Sequence, residues 1–322
     1  MHIPDNYLSP STCAVFGAAM IPAWRRAVKK IKDEIPRKKM PMLGIGAAFS
    51  FLIMMFNLPL PGGTTGHAVG AVLVAILLGP YSACIAVTAA LLVQALFFGD
   101  GGILAFGANC FNMAFIMPFS GYYIFSILKK YFKNEKGEYI ASFIAGYIGL
   151  NIAAFFAAVE FGIQPALFKD AAGLPLYCPY PLSVSIPAMM IPHLLVAGVV
   201  EGLVTSLVYA YVKKVSLDTV YEGSVSYKPL YILIATMVIL CPLGLLAQGT
   251  AWGEWGAEEV VSLLGYVPKG MEKGISFNSL MPDYTVSGLS ETLGYIISAV
   301  AGIAIIFLIF KLVNMKSLKH EK

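Results

Sequence analysis

The chain has 322 residues, of which 58% are hydrophobic and 12% charged. Water-soluble domains carry about twice that share of charge, so composition excludes an ordinary soluble protein. The formal net charge of +4 does not point to nucleic acid, because the basic residues gather beside apolar runs instead of forming a patch.

The first ten residues, MHIPDNYLSP, contain neither the basic nor the apolar stretch of a cleaved leader. Met1 is therefore expected to remain the terminus. Apolar runs then predict nine spans near 10–28, 41–58, 66–79, 81–98, 103–128, 139–162, 187–212, 229–248 and 292–313. A bilayer is crossed by about 20 apolar residues in a helix, and lipid leaves no other way to pair the backbone of such runs. The fold class is all-α, a polytopic helical membrane protein. The third run is short and ends at Gly79-Pro80, which predicts a tilted or broken span.

Of the 22 Lys and Arg residues, 19 fall in segments 25–40, 129–138, 213–228 and 311–322. The positive-inside rule then places the N-terminus outside and the C-terminus inside. Lys169, Lys269 and Lys273 are left on the outer side. Two sections follow. Residues 1–215 hold seven spans, and residues 216–322 begin with a polar linker and hold two spans joined by an external loop, 249–291. That loop carries Glu254, Glu258, Glu259, Glu272, Asp283 and Glu291. It reads first as a solvated loop and second as a vestibule that attracts cations.

The chemistry concentrates at the N-terminus. A histidine at position 2 sets three nitrogens in sequence: the Met1 amine, the His2 amide and Nδ1 of the His2 ring. Metal binding by all three closes a five-membered and a six-membered chelate ring and requires the amide to lose its proton. Square-planar nitrogen coordination suits Ni(II) or Cu(II). The plain alternative is an incidental residue in a frayed terminus, but the turn-rich Ile3-Pro4-Asp5 and Tyr7-Leu8-Ser9-Pro10 can fold back into a bundle. His67 follows Pro61-Gly62-Gly63-Thr64-Thr65-Gly66 on the same side as Met1 and is the candidate fourth ligand.

His193 and Glu201, eight residues apart on one helix face, read as supporting residues or as a structural hydrogen bond. Gln94, Asn109 and Asn112 read the same way, and His320 reads as solvated. The five cysteines read as small buried hydrophobes, with Cys178 alone in an external loop. No Gly-Lys-Ser/Thr phosphate loop and no His-Glu-x-x-His pair occurs. Transport driven by ATP would need another subunit to hydrolyse it.

Four segments, Met1-His2-Ile3-Pro4-Asp5, Gly62 to His67, Leu92 to Gly102 (LVQALFFGDGG) and Gly107 to Met113 (GANCFNM), together resemble the NikM/CbiM family. These are the substrate-binding S components of energy-coupling-factor transporters for nickel and cobalt. The resemblance covers residues 1 to about 215, and His2-Ile3-Pro4-Asp5 is closer to the nickel branch. It implies a seven-helix bundle plugged by its N-terminal loop, with the metal held by Met1, His2 and His67. It also implies partner ATPase subunits and a transmembrane coupling subunit, Ni(II) or Co(II) as the transported substrate, no organic cofactor, no catalysis and a cell-membrane location. Residues 216–322 resemble the two-span accessory component of the NikN type through Met281 to Leu289 (MPDYTVSGL). Asn6 stands where the family usually has glycine, and asparagine tolerates a left-handed backbone.

A stand-alone carrier or metal-gated channel is the alternative reading. An intramembrane metalloenzyme is a weaker one, since no general base accompanies the ligands. Gly44 and Ala48, four residues apart, form a small surface of the kind that lets helices approach closely. That surface is expected either to dock the coupling subunit or to pack within the chain.

Overall fold

The computed structural model describes residues 1–34, 40–221, 227–247 and 249–319. His320 and part of the predicted linker, residues 222–226, lie outside the described residues. After an N-terminal segment, α1 (Pro10–Glu34) starts with proline in its first turn, where no amide partner is needed. The Ser9 hydroxyl accepts from the Thr12 amide at 3.1 Å and caps that turn. α2 (Met40–Met54) is followed by β1 (Leu58–Leu60) and β2 (Thr64–Gly66), then α3 (Ala71–Leu78). The remaining spans are α4 (Pro80–Phe98), α5 (Phe106–Tyr131), α6 (Glu135–Leu167), α7 (Leu182–Val215) and α8 (Lys228–Leu246). A short helix, α9 (Ala257–Leu264), precedes the last long one, α10 (Glu291–Lys319).

Among the described residues six helices, α4 to α8 and α10, are long and apolar enough to cross a membrane. The first three predicted spans are of another kind. α1 is amphipathic, with arginines and lysines along its second half. α2 is apolar but only 15 residues long. The third is divided: the sequence predicts a span from residue 66, whereas helix begins at Ala71. The reason is the Gly62-Gly63 pair, whose φ values of 94° and 76° make a tight turn that glycine adopts without steric cost. The turn pairs Leu58 with Gly66 and Leu60 with Thr64 in an antiparallel hairpin.

The core is built on close helix approach. α6 packs along α7, where Gly146 and Gly202 leave no room for a side chain. A Cβ on Gly202 would lie 2.8 Å from the Phe143 carbonyl, and one on Gly146 would lie 2.7 Å from the Thr205 hydroxyl. The face formed by Gly44 and Ala48 is internal as well. Gly44 packs against Phe307 and Phe310 of α10, and Ala48 is fully buried. The C-terminal section thus covers the surface that could have served for docking. Three helices carry a wide turn, at Gln94–Phe98, Cys110–Ile116 and His193–Ala197. Such turns are rare and concentrate at functional sites. Each one here contains a buried polar residue named above: Gln94, Asn112 or His193.

Candidate metal site

The first nine residues do not trail into solvent. Met1, His2, Ile3, Tyr7, Leu8 and Ser9 are buried, and side chains of the bundle hold the backbone between them. Asn109 behaves like a neighbouring strand: its amide oxygen accepts from Ile3 N at 2.8 Å and its amide nitrogen donates to Ile3 O at 3.0 Å. Asp5 folds back on the start of α5 and accepts from the amides of Ile103, Leu104 and Ala105 at 3.0, 2.7 and 3.3 Å. Those amides lie in the turn just before α5, close to the helix N-terminus, where a carboxylate is favoured. Gln164 of α6 accepts from Ser9 N at 3.0 Å. Asn6 is left-handed, with φ 70°.

This hook delivers the His2 ring to His67. The two ring centroids are 5.1 Å apart, and both rings are buried. His67 follows directly on β2, and its Nδ1 lies 3.0 Å from the Ala68 carbonyl. Donating there fixes the proton on Nδ1 and leaves the Nε2 lone pair for a metal. The residues just beyond are clamped too. Ser50 of α2 donates to Val69 O at 2.6 Å, and Glu201 of α7 accepts from the amides of Val69 and Gly70.

The nitrogens of the proposed chelate face carboxylates. The Met1 amine donates to Glu254 at 2.8 Å, and His2 Nδ1 lies 2.9 Å from Asp100. His2 Nε2 is buried with no hydrogen-bond partner among the described residues. Burial by itself would raise the Asp100 carboxyl. The charge and hydrogen bond of His2, with help from the Tyr284 hydroxyl, hold it below the ordinary carboxylate range instead. Gln94 donates to both Asp100 and the Tyr284 hydroxyl, at 3.0 and 2.9 Å.

The C-terminal section therefore belongs to the site's surroundings. The Tyr7 hydroxyl donates to Trp255 O at 2.8 Å, Trp252 N donates to the Thr64 hydroxyl at 2.7 Å, and the Asn6 side chain bonds the Ile275 backbone in both directions. A glycine at position 6 would give the turn without those bonds. Asp283 and Tyr284 have φ values of 50° and 60°, an uncommon backbone for residues with a side chain.

Of the residues singled out in the sequence, the His2 and His67 rings meet, the Met1 amine turns to Glu254, and Asn109 and Gln94 hold neighbouring residues. His193 and Glu201 do not bond each other: His193 Nδ1 lies 2.7 Å from Met189 O, and Glu201 turns to Val69 and Gly70. His193 borders a small cavity of about 10 Å³ that also touches Met1, Thr65 and Trp252. Asn112 donates to Glu160 at 2.9 Å. All five cysteines are buried, including Cys178, whose amide donates to Tyr7 O at 3.0 Å. Three participants escaped the sequence reading: Asp100, Glu254 and Tyr284. Asp100 is the lone charge in LVQALFFGDGG and could have been noticed, whereas nothing set Glu254 apart from the other acidic residues of its loop.

Two family models match the chain. Residues 2–219 match the family described as "Cobalt uptake substrate-specific transmembrane region", and residues 228–317 match a PDGLE domain. The probable fused nickel transport protein LarMN of Lactiplantibacillus plantarum is 48% identical over all of this chain and 98% of its own length. The fused nickel transport protein NikMN of Rhodobacter capsulatus is 44% identical over 95% of each chain. A crystal structure of a transition metal transporter superposes with a TM-score of 0.64 at 53% identity, covering 72% of this chain and 99% of the other.

Proposed function

Because the chain belongs to the family of cobalt uptake substrate-specific transmembrane regions, here joined to a PDGLE domain, we propose that it is the metal-capturing S subunit of an energy-coupling-factor importer, with Ni(II) as its cargo. The observation that carries this reading is the burial of the N-terminus with its His2 ring 5.1 Å from that of His67. A buried terminal amine forgoes water at a cost, and a hook tied down at Ile3, Asp5 and Ser9 is a large investment unless the terminus itself is used. The Met1 amine, the deprotonated His2 amide, His2 Nδ1 and His67 Nε2 complete a square of nitrogens. Loading exchanges Glu254 at the amine and Asp100 at Nδ1 for the metal.

The cargo is a divalent ion that can displace an amide proton, which ranks Ni(II) ahead of Co(II). The relatives are nickel and cobalt transport proteins, and the chain is a multi-pass protein of the cell membrane, not an enzyme. The N-terminus and the loop over it face outward, where metal arrives. Energy comes from partner ATPase subunits docked through a membrane coupling subunit. The chain also carries its accessory component in the same polypeptide, as residues 216–322.

Reconstitution into vesicles tests the proposal. Nickel accumulation inside is expected only when the ATPase and coupling subunits and internal ATP are all present. Accumulation by the chain alone would instead establish a carrier or channel. Binding must also weaken as pH falls, because metal replaces protons on the amine and the amide.

A further inference from the structure

Glu201 is the one buried carboxylate of α7, and it is fully buried. Ionisable groups inside membrane-spanning helices are costly and are kept where they perform a task. Here the partners are specific. Oε2 accepts from Val69 N at 2.7 Å and from Gly70 N at 3.1 Å, and Oε1 accepts from Gly70 N at 3.1 Å. Both amides lie at the start of α3, two and three residues after His67, where a helix leaves its first amides unpaired. Gly70 is left-handed there, with φ 71°, and a Cβ on it would come within 2.5 Å of the Phe49 ring. The break before α3 therefore has no freedom on the Phe49 side and is drawn toward α7 on the other.

We infer that Glu201 is a positioning residue for the metal site: it fixes the short loop His67 to Gly70 and so sets where His67 Nε2 points. The inference rests on the reading of His67 as a ligand. Three features support it. The loop is held atom by atom, with Ala68 O facing His67 Nδ1, Val69 O bonded by Ser50, and Val69 N and Gly70 N bonded by Glu201. The carboxylate suits this task better than an amide, since Oε2 accepts from both backbone groups and Oε1 accepts from Gly70 N as well, where a glutamine would set a donor against a donor. The helix behind it is rigid, because Gly202 sits against the Phe143 carbonyl and a Cβ on Gly198 would lie 2.3 Å from the Asn151 amide nitrogen. A ligand must be held within about 0.5 Å for a fixed coordination geometry, and a loop of four residues between a hairpin and an eight-residue helix does not supply that alone.

The test is a double-mutant cycle on the full-length protein, with nickel affinity read by competition against a coloured chelator and the absorption band of bound nickel recorded in parallel. Glu201→Gln should weaken nickel binding about ten- to a hundredfold, the usual effect of removing a residue that orients a ligand. Its nickel band should shift toward that of His67→Ala. In a His67→Ala background the same substitution should cost less than about twofold, because the ligand it orients is gone. An equal loss on both backgrounds, or no loss on the native one, overturns the inference. Native affinity in His67→Ala itself overturns the ligand reading on which it stands. Should Glu201→Gln elute as aggregate, Ser50→Ala loosens the same loop from its other side. A loss of about two- to fivefold that disappears without His67 supports the inference, and a loss independent of His67, or none, overturns it.

Discussion

The two sides of the proposed metal site are held in different ways. His67 sits in a corner whose neighbours are bonded through backbone atoms to α2 and α7. The N-terminal arm is anchored at Ile3 and Asp5, but its two terminal nitrogens rest on side-chain carboxylates, and one of these, Glu254, comes from the C-terminal section. Glu254 is 22% exposed whereas the amine is buried. Backbone clamps give a fixed reference point, and side-chain partners can be exchanged without unfolding. A chelator that must lose protons and gain a metal needs both, a corner that stays and an arm that swaps partners.

The comparison breaks most completely if the arm changes length. Inserting one residue between Met1 and His2 enlarges the chelate framework and moves the amine off the plane. Uptake is expected to fall nearly as far as in His67→Ala, and unchanged uptake would reduce His2 to an ordinary side-chain ligand. Next comes the anchor. Asp5→Ala strips three amides of their acceptor, a loss of about 1–3 kcal/mol if they stay buried. Because that energy holds the hook in place, nickel affinity should drop by about tenfold, measured by chelator competition.

The exchangeable contacts should affect rates more than folding. Glu254→Gln removes the charge partner of the amine, so stopped-flow mixing should show nickel entering about three- to tenfold faster, with the melting temperature nearly unchanged. Slower entry would make Glu254 a carrier of the metal and not a latch. The smallest effect belongs to the loops around Asp170 and Lys269. The hydrogen bond from the exposed Lys269 holds the Asp170 carboxyl below its usual range. A depressed carboxyl contributes stability above its unfolded pKa, and that contribution is lost as pH falls through the folded value. Lys269→Ala should return the Asp170 titration, followed by carbon NMR, toward the ordinary carboxylate position while nickel binding at neutral pH stays the same.

Much of the fold could be read from apolar run length, because lipid enforces helices wherever such runs are long. The six spans from α4 to α8 and α10 begin and end close to the predicted positions. The first three segments were less legible. α1 mixes charge with apolar residues, and the hairpin before α3 depends on two glycines whose left-handed backbone is a local matter that hydropathy does not register. At the site, His2 and His67 stood out by chelate chemistry and by their rarity. For Glu201 the sequence offers an interhelical hydrogen bond but not its partner, since helical spacing shows only His193 on the same face while the carboxylate reaches across to Val69 and Gly70. Glu254 and Tyr284 were invisible because their role arises only when a loop more than 180 residues away folds over the N-terminus.

X-ray absorption at the nickel edge of the loaded protein addresses the central claim most directly. The account predicts a planar, diamagnetic site of four nitrogens, yellow in solution, with one nitrogen replaced in His67→Ala. A six-coordinate, paramagnetic nickel carrying oxygen ligands would contradict it, because the terminal amine and the amide of His2 would then not both be bound.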